Sequence, residues 1–262
     1  MTLRGTYIHG TEPREQERLA ALNHLTNQAF VRFLQVPPGA RVLELGSGLG
    51  LLAASVAGAA QGVTVVGIER APEQLAAAIR APHVTYVQGD AHHLGLRDGS
   101  FDLVYTRYVL EHVHAPERVV AEMRRVARPG ARVAACENDV SLVRMDPPCP
   151  TFETVWLAFQ EYQARLGGDS VIGRRLYRLI HSAHFSRIEL SVQPEVHWHG
   201  SPGFAPWVRN IIGNIESART GLVGTRACDG QTIDRAVSEL ERLLDRDDAS
   251  AQFVWNRVVA IR

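Results

Sequence analysis

The 262-residue chain contains no lysine; all 28 of its basic residues are arginine. That excludes a lysine Schiff base, a lysine general base and a P-loop lysine outright. Cysteine is scarce as well. Cys136, Cys149 and Cys228 stand too far apart for a disulfide framework or a zinc spacing, which favours a reducing compartment. Net charge is lacking too, since 28 acidic residues balance the basic ones, and with that balance goes any electrostatic footprint for nucleic acid. The first residues, MTLRGTYIHGTEPREQERL, have no apolar signal-peptide core, so a cytoplasmic location is expected. Leu45 to Ile68 carries no charge and is long enough to span a bilayer. Its glycines at 46, 48, 50, 58, 62 and 67, and its change from helical to strand character midway, make a buried αβ unit the better reading. Internal repeats and low-complexity linkers are also missing. A hydrophobic fraction of 45% with 21% charged residues is ordinary for a soluble globular protein.

What is present centres on Arg41–Arg70. Val42-Leu43-Glu44-Leu45 reads as a buried strand, and Gly46, Gly48 and Gly50 permit a sharp turn and close approach of a ligand to the backbone. Leu51 to Ala60 is helix-forming, Gly62 stops it, and Val63 to Ile68 is a second strand with Glu69 at its end. This is a βαβ unit suited to a nucleoside. A dinucleotide fingerprint, G-x-G-x-x-G, would need its third glycine where Leu51 stands. The spacing here is instead G-x-G-x-G, with Glu44 two residues upstream. A carboxylate beside such a turn suits a ligand that carries an ammonium or sulfonium.

Glu44-Leu45-Gly46-Ser47-Gly48-Leu49-Gly50 meets in full the first motif, [DE]-x-G-x-G-x-G, of the class I S-adenosylmethionine-dependent methyltransferases, small-molecule type, which the chain resembles over roughly residues 40–140. GDAHHLGLRDGSFDLV and LEHVHAPERVVAEMRRVARPGARV carry the resemblance further. Strands at 84–87, 101–105 and 132–136 alternate with helices at 72–80 and 116–127, which implies a doubly wound, mainly parallel sheet. Later strands at 187–192 and 253–260 bring the expected count to seven, a Rossmann-like α/β fold. Ligands in such sheets sit beyond the carboxyl ends of the strands, where Glu44, Glu69, Asp90 and Glu137-Asn138-Asp139 fall.

The resemblance implies S-adenosyl-L-methionine as cofactor. It also implies ribose hydroxyls on Glu69, the adenine amino group on Asp90 with Ala91 stacking nearby, and Arg107 facing the methionine end. Ser47, Arg70 and Gln74 complete the expected cofactor set with Glu44, Gly46, Gly48 and Gly50. Two helices in residues 1–36, begun by Thr11 as cap and carrying an apolar face from Leu19 to Leu34, form a lid. The methyltransferase domain then occupies 37–262, with helical cover insertions near 146–170 and 201–248.

For an acceptor that must lose a proton, the general-base candidates are His112 and His114 and the pair His197 and His199, and the resemblance implies Tyr7 as a further catalytic candidate that reaches into the active site. Paired histidines at 92–93, 112/114 and 197/199 lack a carboxylate at a recognised spacing, so no metal is expected. Thr106-Arg107-Tyr108-Val109, after the fourth strand, lacks the amide-holding motif used on exocyclic amines of bases. The expected partner is therefore a small-molecule acceptor, not nucleic acid or membrane, with a homodimer left open. Two other readings stand beside methyl transfer: a cofactor-binding relative acting as cyclase or scaffold, and a nucleotide-dependent oxidoreductase.

Overall fold

The computed structural model describes residues 13–262, and Thr11 and Tyr7 lie outside them. The chain enters on α1 (Pro13–Leu34), one continuous helix of 22 residues where the periodicity suggested two. No glycine or proline interrupts it after Pro13. Gln35, in the left-handed conformation at φ 49°, ends it ahead of Pro37-Pro38.

Five parallel strands follow: β1 (Arg41–Leu45), β2 (Thr64–Glu69), β3 (Val84–Gln88), β4 (Phe101–Arg107) and β5 (Ala127–Glu137). Three later strands, β6 (Arg144–Asp146), β7 (Ser186–Trp198) and β8 (Ser250–Ile261), join antiparallel through β8. The order is β3-β2-β1-β4-β5-β8-β6, with β7 on β8, so the sheet has eight strands. The strand beyond the expected seven is β6, whose three residues are too few to show a period of two. β7 also runs further than its apolar stretch suggested. Pro194 is tolerated there because β7 pairs only with β8. Leu190, Val192, Val196 and Trp198 of β7 stay exposed.

Alternation along the strands divides the core in two. Leu43, Leu45, Val104 and Val133 point to α4 (Pro116–Val126) and α6 (Leu176–Ser182). Val42, Val65, Leu103 and Tyr105 point to α1, α2 (Leu51–Ala57) and a helical cover of α5 (Pro150–Arg165), α7 (Phe204–Gly224) and α8 (Gly230–Leu244). The stretch expected as one helix at 173–184 is a short 3₁₀ turn, Ile172–Arg175, leading into α6. The cover helices pack on one another, α1 packs on α2 and α7, and α3 (Pro72–Ala77) packs on β2 and β3. β1 and β4 are sheet neighbours from which the chain winds outward in both directions. That places the switch in strand order, and hence the crevice for a ligand, at their carboxyl ends.

Candidate active site

The glycine turn after β1 puts three backbones at positive φ, Gly46 at 72°, Gly48 at 50° and Gly50 at 75°. The three differ in what they make room for. A Cβ on Gly46 would overlap Val109, and one on Gly50 would overlap the Tyr86 ring, so both are fixed by packing within the protein. A Cβ on Gly48 would meet nothing within 4 Å. Gly48 therefore faces open space, on the wall of a cavity of about 300 Å³.

That cavity gathers most of the residues the sequence nominated. Glu44, Gly46, Ser47, Gly48 and Glu69 line it, as do Arg70, Gln74, Asp90, Ala91, Arg107 and His112. Gly50 is not on its wall; its carbonyl instead accepts the Tyr86 hydroxyl at 3.3 Å. His197 is not on the wall either. Alternation along β7 turns it toward α7, where its ring lies 5.7 Å from Trp207 and its Nε2 is 3.4 Å from Glu195 Oε2.

The carboxylates at the strand ends behave differently. Glu69 braces the turn, its Oε2 accepting the Gly48 N–H at 2.9 Å and its Oε1 those of Arg70 and Ala71 at 2.8 and 2.9 Å. Glu44 is 4% exposed, and its Oε2 has no hydrogen-bond partner. Burial pushes its carboxyl up to about 8, with the Arg107 guanidinium pulling the other way. Ser47 Oγ and Gln74 Oε1 are likewise buried and unpaired beside it. Asp90 lies below the usual carboxylate range. Burial pushes it up, but bonds from the His92 backbone at 2.9 Å and ring at 2.6 Å, together with Arg70, outweigh that.

Arg107 lines the cavity and is also held by α1, its guanidinium donating to Thr26 Oγ1 at 3.1 Å, Asn23 Oδ1 at 2.7 Å and Asn27 Oδ1 at 2.6 Å. The Phe30 and Tyr108 rings flank it at 5.3 and 5.1 Å. It is the peg on which α1 hangs over the cavity.

Two site features escaped sequence reasoning. Glu111, 3% exposed, reaches the cavity wall beside His112, with the Asn138 amide donating to its Oε1 and His112 Nε2 3.7 Å from it. Its loop is pinned by Glu137, whose carboxylate accepts the backbone N–H groups of Val109, Leu110 and Glu111 at 3.2, 3.1 and 3.3 Å. Burial, with Glu111 nearby, pushes Glu137 up to about 8 against those three bonds. The LEHV string and the acids after the fifth strand were visible, but not their meeting across 27 residues. The second feature is the aromatic wall from the cover helices and β8, for which an aromatic-rich C-terminal half was the sole signal. Among the described residues no three His, Cys, Asp or Glu side chains are grouped to hold a metal, and no helix is long and apolar enough to cross a membrane.

An S-adenosylmethionine molecule fits what this chain supplies. The unpaired buried Glu44 oxygen suits its cationic end, Ser47 Oγ and Gln74 Oε1 lack partners, and Gly48 leaves free the space a side chain would fill. Comparison with known proteins agrees. A family model described as a methyltransferase domain matches residues 43–135. An uncharacterized methyltransferase of Synechocystis sp. is 39% identical over 178 residues, 61% of this chain and 82% of that protein. A demethylmenaquinone methyltransferase of Beutenbergia cavernae is 34% identical over 136 residues, 52% of this chain and 53% of that protein. The chain spans about half the length of this and another curated relative, 53% and 45%. Among solved structures, a protein described as a methyltransferase of an antibiotic biosynthesis pathway from Anabaena variabilis shares the fold. Its TM-score is 0.61 at 17% identity, covering 88% of this chain and 96% of that one. Fold and glycine turn together define a Rossmann-like nucleoside-binding protein. The chain belongs to the class I S-adenosylmethionine-dependent methyltransferases, and the cofactor of that family is S-adenosylmethionine.

Proposed function

We propose that this chain transfers a methyl group from S-adenosylmethionine to a small-molecule acceptor inside the cavity. The observation that carries the reading is the cluster at the ends of β1 and β2. There, a carboxylate with an unpaired buried oxygen, a glycine facing open space and a second carboxylate bracing the turn share one cavity wall. In this reading Glu44 holds the cationic methionine end, with Ser47 and Gln74 beside it. Glu69 and Arg70 take the ribose end, and Asp90 and Ala91 the adenine. When bound, the cofactor supplies a methyl group already activated on a sulfonium. The chain's own work is to orient the acceptor and exclude water. Glu111 and His112 stand on the same wall, where a proton leaving the acceptor could be taken up.

A small molecule is favoured because α1, α5 and α7 all contribute to the cavity wall, so helices border the space beyond the strand ends. The names of relatives that act on demethylmenaquinone or belong to antibiotic biosynthesis agree with this. In the same reading α1 is a lid, fastened to the sheet by Arg107 and to α7 by Arg18, which donates to Asn210 Oδ1 at 2.7 Å. Calorimetry with S-adenosylmethionine and with NAD, followed by an assay for S-adenosylhomocysteine release in the presence of acceptors, tests the proposal. Tight S-adenosylmethionine binding with S-adenosylhomocysteine formed at turnover supports it. Binding without transfer would make the chain a cyclase or scaffold, and preference for NAD would make it an oxidoreductase.

A further inference from the structure

Part of the cavity wall is aromatic. Trp156 and Phe159 of α5 stack there at 5.0 Å with their planes 7° apart. Across α7 and β8, Trp207, Phe253 and Trp255 form a second cluster, with Tyr108 4.6 Å from Trp255. Aromatic clusters are ordinary core material, and two of the three indoles here behave as such. Trp156 Nε1 donates to the Val140 carbonyl at 2.8 Å, and Trp255 Nε1 to Glu195 Oε1 at 3.2 Å. Trp207 differs: it is 2% exposed, its ring lines the cavity, and its Nε1 has no partner. A buried indole N–H normally finds an acceptor, because leaving one unmade is costly. Glu111 also lines the cavity, and its carboxylate, bonded by Asn138, offers an acceptor oxygen.

The placement of positive charge is equally informative. The arginines lining the cavity are Arg18, Arg70 and Arg107. Arg107 is engaged by α1, Arg18 bridges to Asn210 of α7, and Arg70 follows β2 at the other end. Arg107 reaches the aromatic wall at Tyr108, 5.1 Å from that ring, but its guanidinium is already shared among Asn23, Thr26 and Asn27. A phosphate or carboxylate there would be desolvated beside Glu111 without a dedicated cation.

We infer that the methyl acceptor is a flat, uncharged aromatic or conjugated molecule, with an oxygen facing the Trp207 indole N–H and a hydroxyl facing Glu111. This rests on the methyltransferase reading of the site and adds to it the chemical class of the acceptor. Ring faces against Trp and Phe supply most of the binding, as stacked and edge-on aromatic contacts do generally. The two polar contacts fix the orientation, and a site with buried hydrogen-bonding groups discriminates against ligands that leave them unpaired.

The test uses the whole chain with S-adenosylhomocysteine bound, and two probes that share a naphthalene ring, 2-naphthol and 2-naphthoate. Heats of binding give affinities independently of turnover. Tryptophan emission reports the location, because three of the four tryptophans line the cavity and Trp198 is 59% exposed on β7. The neutral naphthol is expected to bind and change the emission, with the naphthoate weaker by at least about tenfold. Trp207→Phe, which keeps the ring and removes the N–H, should weaken naphthol by about fivefold while leaving S-adenosylhomocysteine affinity unchanged. Trp156→Phe serves as the comparison, retaining the stack and losing a bond that points away to Val140. Equal or tighter binding of the naphthoate, or S-adenosylhomocysteine binding with no response to either probe, overturns the acceptor class and leaves the methyltransferase reading intact. Failure of S-adenosylhomocysteine itself to bind overturns the reading beneath it.

Discussion

Glu69 serves the protein before it serves a ligand, since both its oxygens accept backbone N–H groups around the glycine turn. Glu69→Ala therefore removes the proposed ribose contact and the brace of Gly48 together. Bonds to a carboxylate are worth roughly 1.5–3 kcal/mol each, so S-adenosylmethionine binding should weaken by at least about tenfold. An unchanged dissociation constant by calorimetry would remove Glu69 from the site. The glycines permit a sharper comparison. Gly48→Ala puts a Cβ into open cavity at φ 50°, a backbone that costs an L-residue about 1–2 kcal/mol. Its melting temperature without ligand should fall slightly while cofactor affinity collapses. Gly50→Ala meets the Tyr86 ring instead, so folding should suffer first. If Gly48→Ala bound cofactor as the wild type does, the turn would not face the cofactor.

At the scale of elements, Arg107 decides whether α1 stays seated. The residue is 9% exposed, and its guanidinium donates to three side chains spaced along one face of the helix, at 23, 26 and 27. Arg107→Met keeps the apolar stem but leaves those acceptors without their donor. Arg107→Lys keeps the charge without the fork that reaches several acceptors at once. Both variants should raise hydrogen exchange of the 13–34 amides, with Met the worse, and cofactor should restore less protection than in the wild type. Exchange that ignores Arg107 would show that the apolar face of α1, including Leu22, Phe30 and Leu34, holds it unaided. The strands of the parallel half and the turn after β1 were legible because β-branched runs, glycine spacing and terminal acids are local signals. The seat of α1 was not, because it joins residues 80 or more positions apart. The packing of His197 on Trp207 was not legible for a related reason: a histidine beside a tryptophan reads the same in sequence whether its strand turns it toward a cavity or toward a helix. β6 and most of the aromatic wall lay beyond the strand–helix alternation of residues 40–140, where no repeating pattern fixes which faces meet.

For the whole molecule, zero formal charge means that no net field dominates the response to pH, so individual buried groups can set it. Glu44 and Glu137 are both raised from 4.5 to about 8, chiefly by burial. A folded state that holds a proton more tightly than the unfolded chain gains stability that is fully present below the unfolded value. That stability is lost as pH rises through the folded one. The ligand-free protein should therefore lose stability between about pH 4.5 and 8 and level off above, by on the order of a few kcal/mol per group. Cys136 and Cys149, pushed up to about 12 and 11 by burial, titrate beyond this window, and Asp90 and Glu122, both lowered, titrate beneath it. The melting-temperature difference between wild type and Glu44→Gln isolates Glu44 from every other titrating group, the eleven histidines included. That difference should shift against the wild type across the same window. A cationic ligand reverses the preference, since an ammonium or sulfonium near Glu44 favours the carboxylate. S-adenosylmethionine should then bind more tightly as pH approaches 8 and release a proton below it. The release is measurable as a dependence of the binding heat on the ionisation enthalpy of the buffer. S-adenosylhomocysteine keeps the ammonium but has no sulfonium charge, so comparing the two divides the effect between the two cations. A pH-independent affinity with no proton released in the wild type, matching Glu44→Gln, would mean that Glu44 is not the group that receives the cofactor's charge.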